Sequence, residues 1–265
     1  MSIRILFLGE IVGKPGIQAL KNGLKGLKER ESIDFVVANG EGATGGFGIG
    51  KNHALQITKL GVDLITTGEK TYYKKDMVEY IGQNRKIIRP ANYPFGNPGR
   101  GFGIFHIGEI RVAFINLLGN ADFNRTHTSN PFIQANSLVE KLLPESDAIC
   151  LQFHASTTAE KQTMAHHLKG RVAAVIGTHS KVLSSDARIL EEATAAITDN
   201  GRCGSALSVG GFDSSVEIER FLTQIPSRSV ESYKNLELQG VIVEITKDGK
   251  ATSITTVKES VDMDQ

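Results

Sequence analysis

Short apolar runs alternate with amphipathic stretches through the first half of the chain. Residues 3–8 are apolar apart from Arg4 and end at Gly9-Glu10. That length and composition predict a buried strand rather than a helix. Across residues 17–29 the apolar positions Ile17, Leu20, Leu24 and Leu27 repeat with the period of one helical face. Residues 35–38 predict the second strand, 51–60 a helix and 62–66 a third strand. A short helix over 76–81 and a short strand over 86–88 follow. Residues 9–16 read as a loop. The stretch 42–50 holds glycine at 42, 45, 46, 48 and 50 and reads as a tight connection that needs positive φ.

The middle of the chain changes pattern. Residues 102–107 and 111–117 flank Gly108-Glu109, which predicts a hairpin and hence a mixed sheet. Residues 122–130 form a polar loop, and 131–143 a helix. A strand over 148–153 ends at His154, a helix covers 158–168, and a strand over 172–176 runs toward His179. A short strand over 195–198 comes next. Residues 236–245 and 251–257 predict two antiparallel strands about Asp248-Gly249, and 260–265 a polar tail. The sum is an α/β fold with mixed sheets and flanking helices, in a single domain over residues 1–265.

Composition narrows the function classes. The 265 residues carry 30 Lys plus Arg against 29 Asp plus Glu, a formal charge of +1. That balance gives no specific nucleic-acid signal, although Arg85, Lys86, Arg89 and Arg100 lie close together. No apolar segment is long enough to span a membrane, and the first strand is too short for a signal peptide. The expected location is cytoplasmic. Cys150 and Cys203 make no disulfide framework. Cys150, in an apolar run, is expected to be buried. Cys203, in the glycine-rich string 199–204, is expected to be more accessible.

The predicted strand ends bring polar side chains to one edge, where open α/β sheets place ligands. They are Glu10, Glu41, Glu69, His154 and His179. Carboxylates with imidazoles suit Mn²⁺, Fe²⁺ or Zn²⁺. Each histidine alone has a plainer explanation as a hydrogen-bonded residue at a strand end. Lys70 and Lys181 stand in the same strings, where a metal site has no use for an ammonium.

At these residues the sequence resembles the YmdB-type branch of the calcineurin-like metallophosphoesterases. The matching strings are residues 4–9, Asn39-Gly40-Glu41 with Gly45-Gly46-Phe47-Gly48, residues 61–68, and 89–94. They continue at 115–119, Phe153-His154-Ala155, Gly177-Thr178-His179, and Ile197-Thr198-Asp199 with Cys203-Gly204. The resemblance spans nearly the whole chain. It implies a calcineurin-like α/β sandwich and hydrolysis of phosphodiesters such as cyclic nucleotides at a two-metal centre.

Carried over residue by residue, Glu41 matches the bridging carboxylate, and His154 and His179 match two histidines of the second metal. The other positions depart. Glu10 stands for an aspartate, Glu69 for an asparagine, Lys70 for the histidine of a Gly-Asn-His string, and Lys181 for the last histidine ligand. An ammonium at 181 can pair with Glu10 or Glu41 without an ion and repels a cation in a low-dielectric pocket. The resemblance therefore implies a degenerate first metal position, marked by Glu10 and Lys181. A second position, Glu41, Glu69, His154 and His179, holds one divalent ion or none. Lys70 takes the place of a catalytic histidine, and Asn92 and Asn116 are expected on the substrate side. Two classes stay open: a structural or regulatory protein on an inactive scaffold, and a phosphodiesterase working with one metal. Expected partners are a phosphate-containing small molecule and a second copy or another protein, with no membrane.

Overall fold

The computed structural model describes residues 2–123 and 125–262, leaving out the side chain of Glu192. The chain begins β1 (Ser2–Ile11), α1 (Gly13–Arg30), β2 (Phe35–Asn39), α2 (Lys51–Lys59), β3 (Leu64–Thr66), α3 (Lys75–Gln83) and β4 (Ile87–Ile88). It continues β5 (Phe102–Ile107), β6 (Ile110–Leu118), α4 (Pro131–Leu142), β7 (Ala148–His154), α5 (Thr158–Leu168) and β8 (Ala174–Thr178). The last elements are β9 (Arg188–Leu190), β10 (Thr194–Ile197), β11 (Arg202–Ser205), α6 (Ser214–Thr223), β12 (Leu236–Thr246) and β13 (Ala251–Val261).

The strands form two mixed sheets. One has the order β13-β12-β11-β1-β2-β3-β4 and the other β5-β6-β7-β8-β10-β9. Side-chain alternation along β1 explains how they stack. Ile3, Ile5 and Phe7 join the cluster between the sheets with Phe114, Cys150 and Val243. Leu6 and Leu8 point the other way, into a cluster with Leu20, Leu24 and Leu27 of α1. Period two in the strand meets period 3.6 in the helix. A third cluster seats α4 and α5 on the outer face of the second sheet, through Leu138, Leu142, Met164 and Leu168.

Both expected hairpins are present: β5 pairs antiparallel with β6, and β12 with β13. In the glycine-rich connection Gly45, Gly46 and Gly48 have φ of +64°, +80° and +76°. Residues 9–11 correct the expected loop, because β1 continues through Ile11 and α1 begins at Gly13. A close crossing explains the extension. Gly9 packs against the Gly201 carbonyl so tightly that any Cβ would collide. Glu10 N–H donates to Gly201 O at 3.0 Å. That contact lets β11 insert beside the end of β1, pairing Glu10 with Arg202 and Ile11 with Cys203. Cys203 is therefore fully buried, against the accessible loop position expected. Among the described residues no helix is long and apolar enough to cross a membrane.

Candidate active site

The C-terminal ends of β1, β2, β3, β7 and β8 carry the site. Glu10 is the penultimate residue of β1, and Glu41 lies two residues beyond β2. Glu69 and Lys70 follow β3, His154 ends β7, and His179 follows β8. Glu10, Glu41 and His154 are essentially excluded from solvent.

Glu69, His154 and His179 form a cluster whose ligand-type atoms all lie within 4.8 Å of one another. His154 Nε2 is 2.8 Å from Glu69 Oε2 and 3.2 Å from His179 Nδ1. On its other edge His154 Nδ1 meets Thr178 Oγ1 at 2.8 Å. Asn39 Nδ2 lies 3.3 Å from the same Nδ1, while a proton on Nε2 makes the hydrogen bond to Glu69. Gly68 makes room for the ring, since a Cβ there would overlap His154 Cδ2. Phe123 packs against both imidazoles, 6.1 Å from His154 and 5.1 Å from His179 between centroids.

Glu41 stands apart from that cluster. Its carboxylate accepts the main-chain N–H of Gly68 at 2.6 Å and the N–H of Lys70. It thus fixes the turn that presents Glu69. Burial, then the charge of Glu69, pushes the Glu41 pKa up to about 7. Burial alone would raise Glu69 as well, but its hydrogen bond and charge contact with His154, then Lys70, lower it below the ordinary carboxylate range. Burial would lower His154, yet the Glu69 hydrogen bond and charge outweigh this and raise it. Burial, and then His154, holds His179 down to about 3. One imidazole shares Glu69's proton affinity while its neighbour stays neutral.

Both lysines turn into the site. Lys70 Nζ lies 2.9 Å from Glu69 Oε1. Lys181 Nζ lies 3.4 Å from Glu10 Oε1. This is ion-pair range without hydrogen-bond geometry, and neither Glu10 oxygen has a hydrogen-bond partner among the described residues.

The loop that carries His179 and Lys181 is itself unusual. His179 has φ +104° and Lys181 φ +60°, values that cost a non-glycine residue free energy unless surrounding structure enforces them. Two buried groups do so. Asp199 accepts Ser180 N–H at 2.8 Å and the ammonium of Lys161 at 2.9 Å. Arg202 donates to Lys181 O at 2.9 Å.

Asn92 and Asn116, expected on the substrate side, make hydrogen bonds to main chain. Both are buried. Asn92 donates to Leu118 O and Ser129 O and accepts from Leu118 N–H. Asn116 donates to Thr67 O and Ile88 O. Both amides donate to main chain and so brace loops, while Asn116 Oδ1 has no hydrogen-bond partner among the described residues. Lys161, Phe123 and Tyr93 were not picked out by sequence pattern. Tyr93 donates its hydroxyl to Glu69 O at 3.1 Å. The available signal for Phe123 was an aromatic in an otherwise polar loop.

A family model described as YmdB-like protein matches residues 6–257. The chain belongs to the YmdB-like family. A 2′,3′-cyclic-nucleotide 2′-phosphodiesterase of Bacillus subtilis (strain 168) is 34% identical over 248 residues, covering 94% of this chain and 93% of that protein. The crystal structure of a phosphatase from Mycoplasma pneumoniae superposes with a TM-score of 0.93 at 31% identity, covering 99% of this chain and 95% of that one. A 5′-nucleotidase precursor from Thermus thermophilus shares the fold at a TM-score of 0.60 and 11% identity, over 98% of this chain and 55% of that one. The YmdB-like chain thus has the calcineurin-like metallophosphoesterase sandwich, and the family implies a divalent metal. Two imidazole nitrogens and a carboxylate oxygen in the Glu69–His154–His179 cluster suit one such ion. Beside Glu10 the facing side chain is the ammonium of Lys181.

Proposed function

We propose that this YmdB-like chain binds a phosphate-containing small molecule at the cluster without two-metal hydrolysis, and that it serves a structural or regulatory role. The observation that carries this reading is the Lys181 ammonium 3.4 Å from buried Glu10. A fixed positive charge there compensates the carboxylate, so a dication brought to the same place meets repulsion instead of a ligand. Lys70 adds a second ammonium on Glu69. Together they offer an anionic phosphate two cationic contacts. Cyclic nucleotides are the first ligands to try, given what the Bacillus subtilis relative is named for.

A second reading keeps the chemistry. The Glu69, His154 and His179 donors would hold one Mn²⁺, Fe²⁺ or Zn²⁺. When bound, such an ion polarises a phosphate oxygen and acidifies a water. Lys70 would then stabilise charge on the phosphate, in place of the family's histidine.

Turnover of 2′,3′-cyclic nucleotides and of bis(4-nitrophenyl) phosphate, with Mn²⁺ supplied, separates the two. The binding reading expects ligand-induced stabilisation of the fold and no hydrolysis above background. Hydrolysis that disappears in Glu69→Gln would establish the one-metal reading in its place.

A further inference from the structure

The connection at 42–50 has the cluster on one side and an open groove on the other. Thr44 and Gly45 line that groove, of about 580 Å³, with Lys14, Lys74 and Arg228. A second hollow of about 350 Å³ continues it and adds Lys21. Lys14, His53 and Tyr233 line both. Lys14, Lys21 and Arg228 are exposed and Lys74 is half-buried. None of the four forms an ion pair among the described residues.

Two acids lie in this region, and both are turned onto helix starts. Glu231 Oε1 accepts Lys14 N–H at 3.2 Å, at the first turn of α1. Asp76 Oδ2 accepts Lys51 N–H at 2.9 Å, at the start of α2. Their charge is compensated by main-chain N–H groups and the helix dipoles, which leaves the cations uncancelled. His53 Nδ1 meets Thr44 Oγ1 at 2.8 Å. Burial holds His53 below its ordinary pKa, so it contributes a hydrogen-bonding edge more than a charge. Tyr233, which lines both hollows, is 43% exposed.

We infer that this groove binds a single-stranded oligonucleotide, its phosphates on Lys14, Lys21, Lys74 and Arg228 and a base stacked on Tyr233. Cations spread along two joined hollows match a repeating phosphate better than one compact anion. An exposed aromatic ring beside a basic track, as Tyr233 is here, gives a base a surface to stack on without reading sequence. Neutral overall charge does not oppose this, because association responds to the local field. The site is separate from the ion-paired cluster and does not depend on what that cluster does.

The test is fluorescence anisotropy with a fluorescein-labelled twelve-nucleotide oligouridine. Four phosphate contacts predict a log–log salt slope of about −3 and a roughly 50-fold loss of affinity between 50 and 200 mM salt. Lys14→Glu combined with Arg228→Glu should weaken binding at least tenfold, and Tyr233→Ala about tenfold. Lys250→Glu, in the distant β12–β13 turn, serves as the matched surface control and should leave affinity within about twofold. Each variant is checked by thermal unfolding, with Lys14→Gln in reserve should the reversal impair folding. Absence of binding at 50 mM salt overturns the inference. So does binding indifferent to the groove substitutions, or binding lost in Lys70→Ala alone, which would put the strand at the cluster. Binding that tripolyphosphate matches and Tyr233→Ala leaves untouched also overturns it, since the groove would then hold phosphate alone.

Discussion

The Lys181 ammonium lies 3.4 Å from Glu10 Oε1, and Glu10 is 1% exposed with no hydrogen bond to either oxygen among the described residues. A buried carboxylate so placed depends on a nearby positive charge. Lys181→Met removes that charge and leaves Glu10 unpaired. The expected cost is about 3 kcal/mol, the lower end of the range for breaking a buried pair, because Lys181 is partly exposed. Glu10→Gln in the same chain should restore most of it. Denaturant unfolding of the single and double variants measures the coupling, and additive losses would contradict the pairing.

Lys161 and Asp199 are a buried pair behind the loop that presents His179, with side chains 2% and 3% exposed. Lys161→Met should cost about 3–5 kcal/mol by stranding Asp199. It should also release Ser180 N–H, which Asp199 holds. Hydrogen exchange at Ser180 should quicken far more than at the β7 amides. Uniform acceleration would mean that the pair stabilises the fold without fixing the loop.

Glu41 gives a pH dependence of defined sign. Its pKa rises from 4.5 to about 7 on folding, so between those values the folded chain binds a proton that the unfolded chain has released. This contribution therefore weakens stability as pH rises from about 4.5 to about 7, by an amount on the order of 3 kcal/mol. Glu41→Gln cannot release that proton. Relative to the parent, the variant should gain stability progressively across this window, as followed by urea unfolding at fixed temperature. A pH-independent difference would show that Glu41 is ionised throughout.

How far the sequence disclosed this molecule differs between elements. Ile17, Leu20, Leu24 and Leu27 all lie buried on one face of α1, because burial imposes the period that sequence displays. β11 was hidden: a four-residue strand preceded by Gly201 and interrupted by Gly204 has no local signal, and it exists because β1 and β12 pair with it on either side. α6 was hidden for the opposite reason. Ile218, Phe221 and Leu222 are exposed, while Glu217 is buried, so its apolar positions do not mark an inward face. In the site, residue types at strand ends disclosed Glu69, His154 and His179 as neighbours. They could not disclose that Glu41 would be spent on the N–H groups of Gly68 and Lys70, or that the amides of Asn92 and Asn116 would brace loops. Those roles depend on main-chain groups far away in sequence.

Metal stoichiometry tests the central claim most directly. After purification without chelator and equilibration with excess Mn²⁺, the protein should carry no more than one tightly held ion per chain by elemental analysis. Glu69→Gln should lower whatever is bound, while Lys181→Ala should not reduce it. Two ions per parent chain would contradict the account, because the Lys181 ammonium and a dication cannot both compensate Glu10.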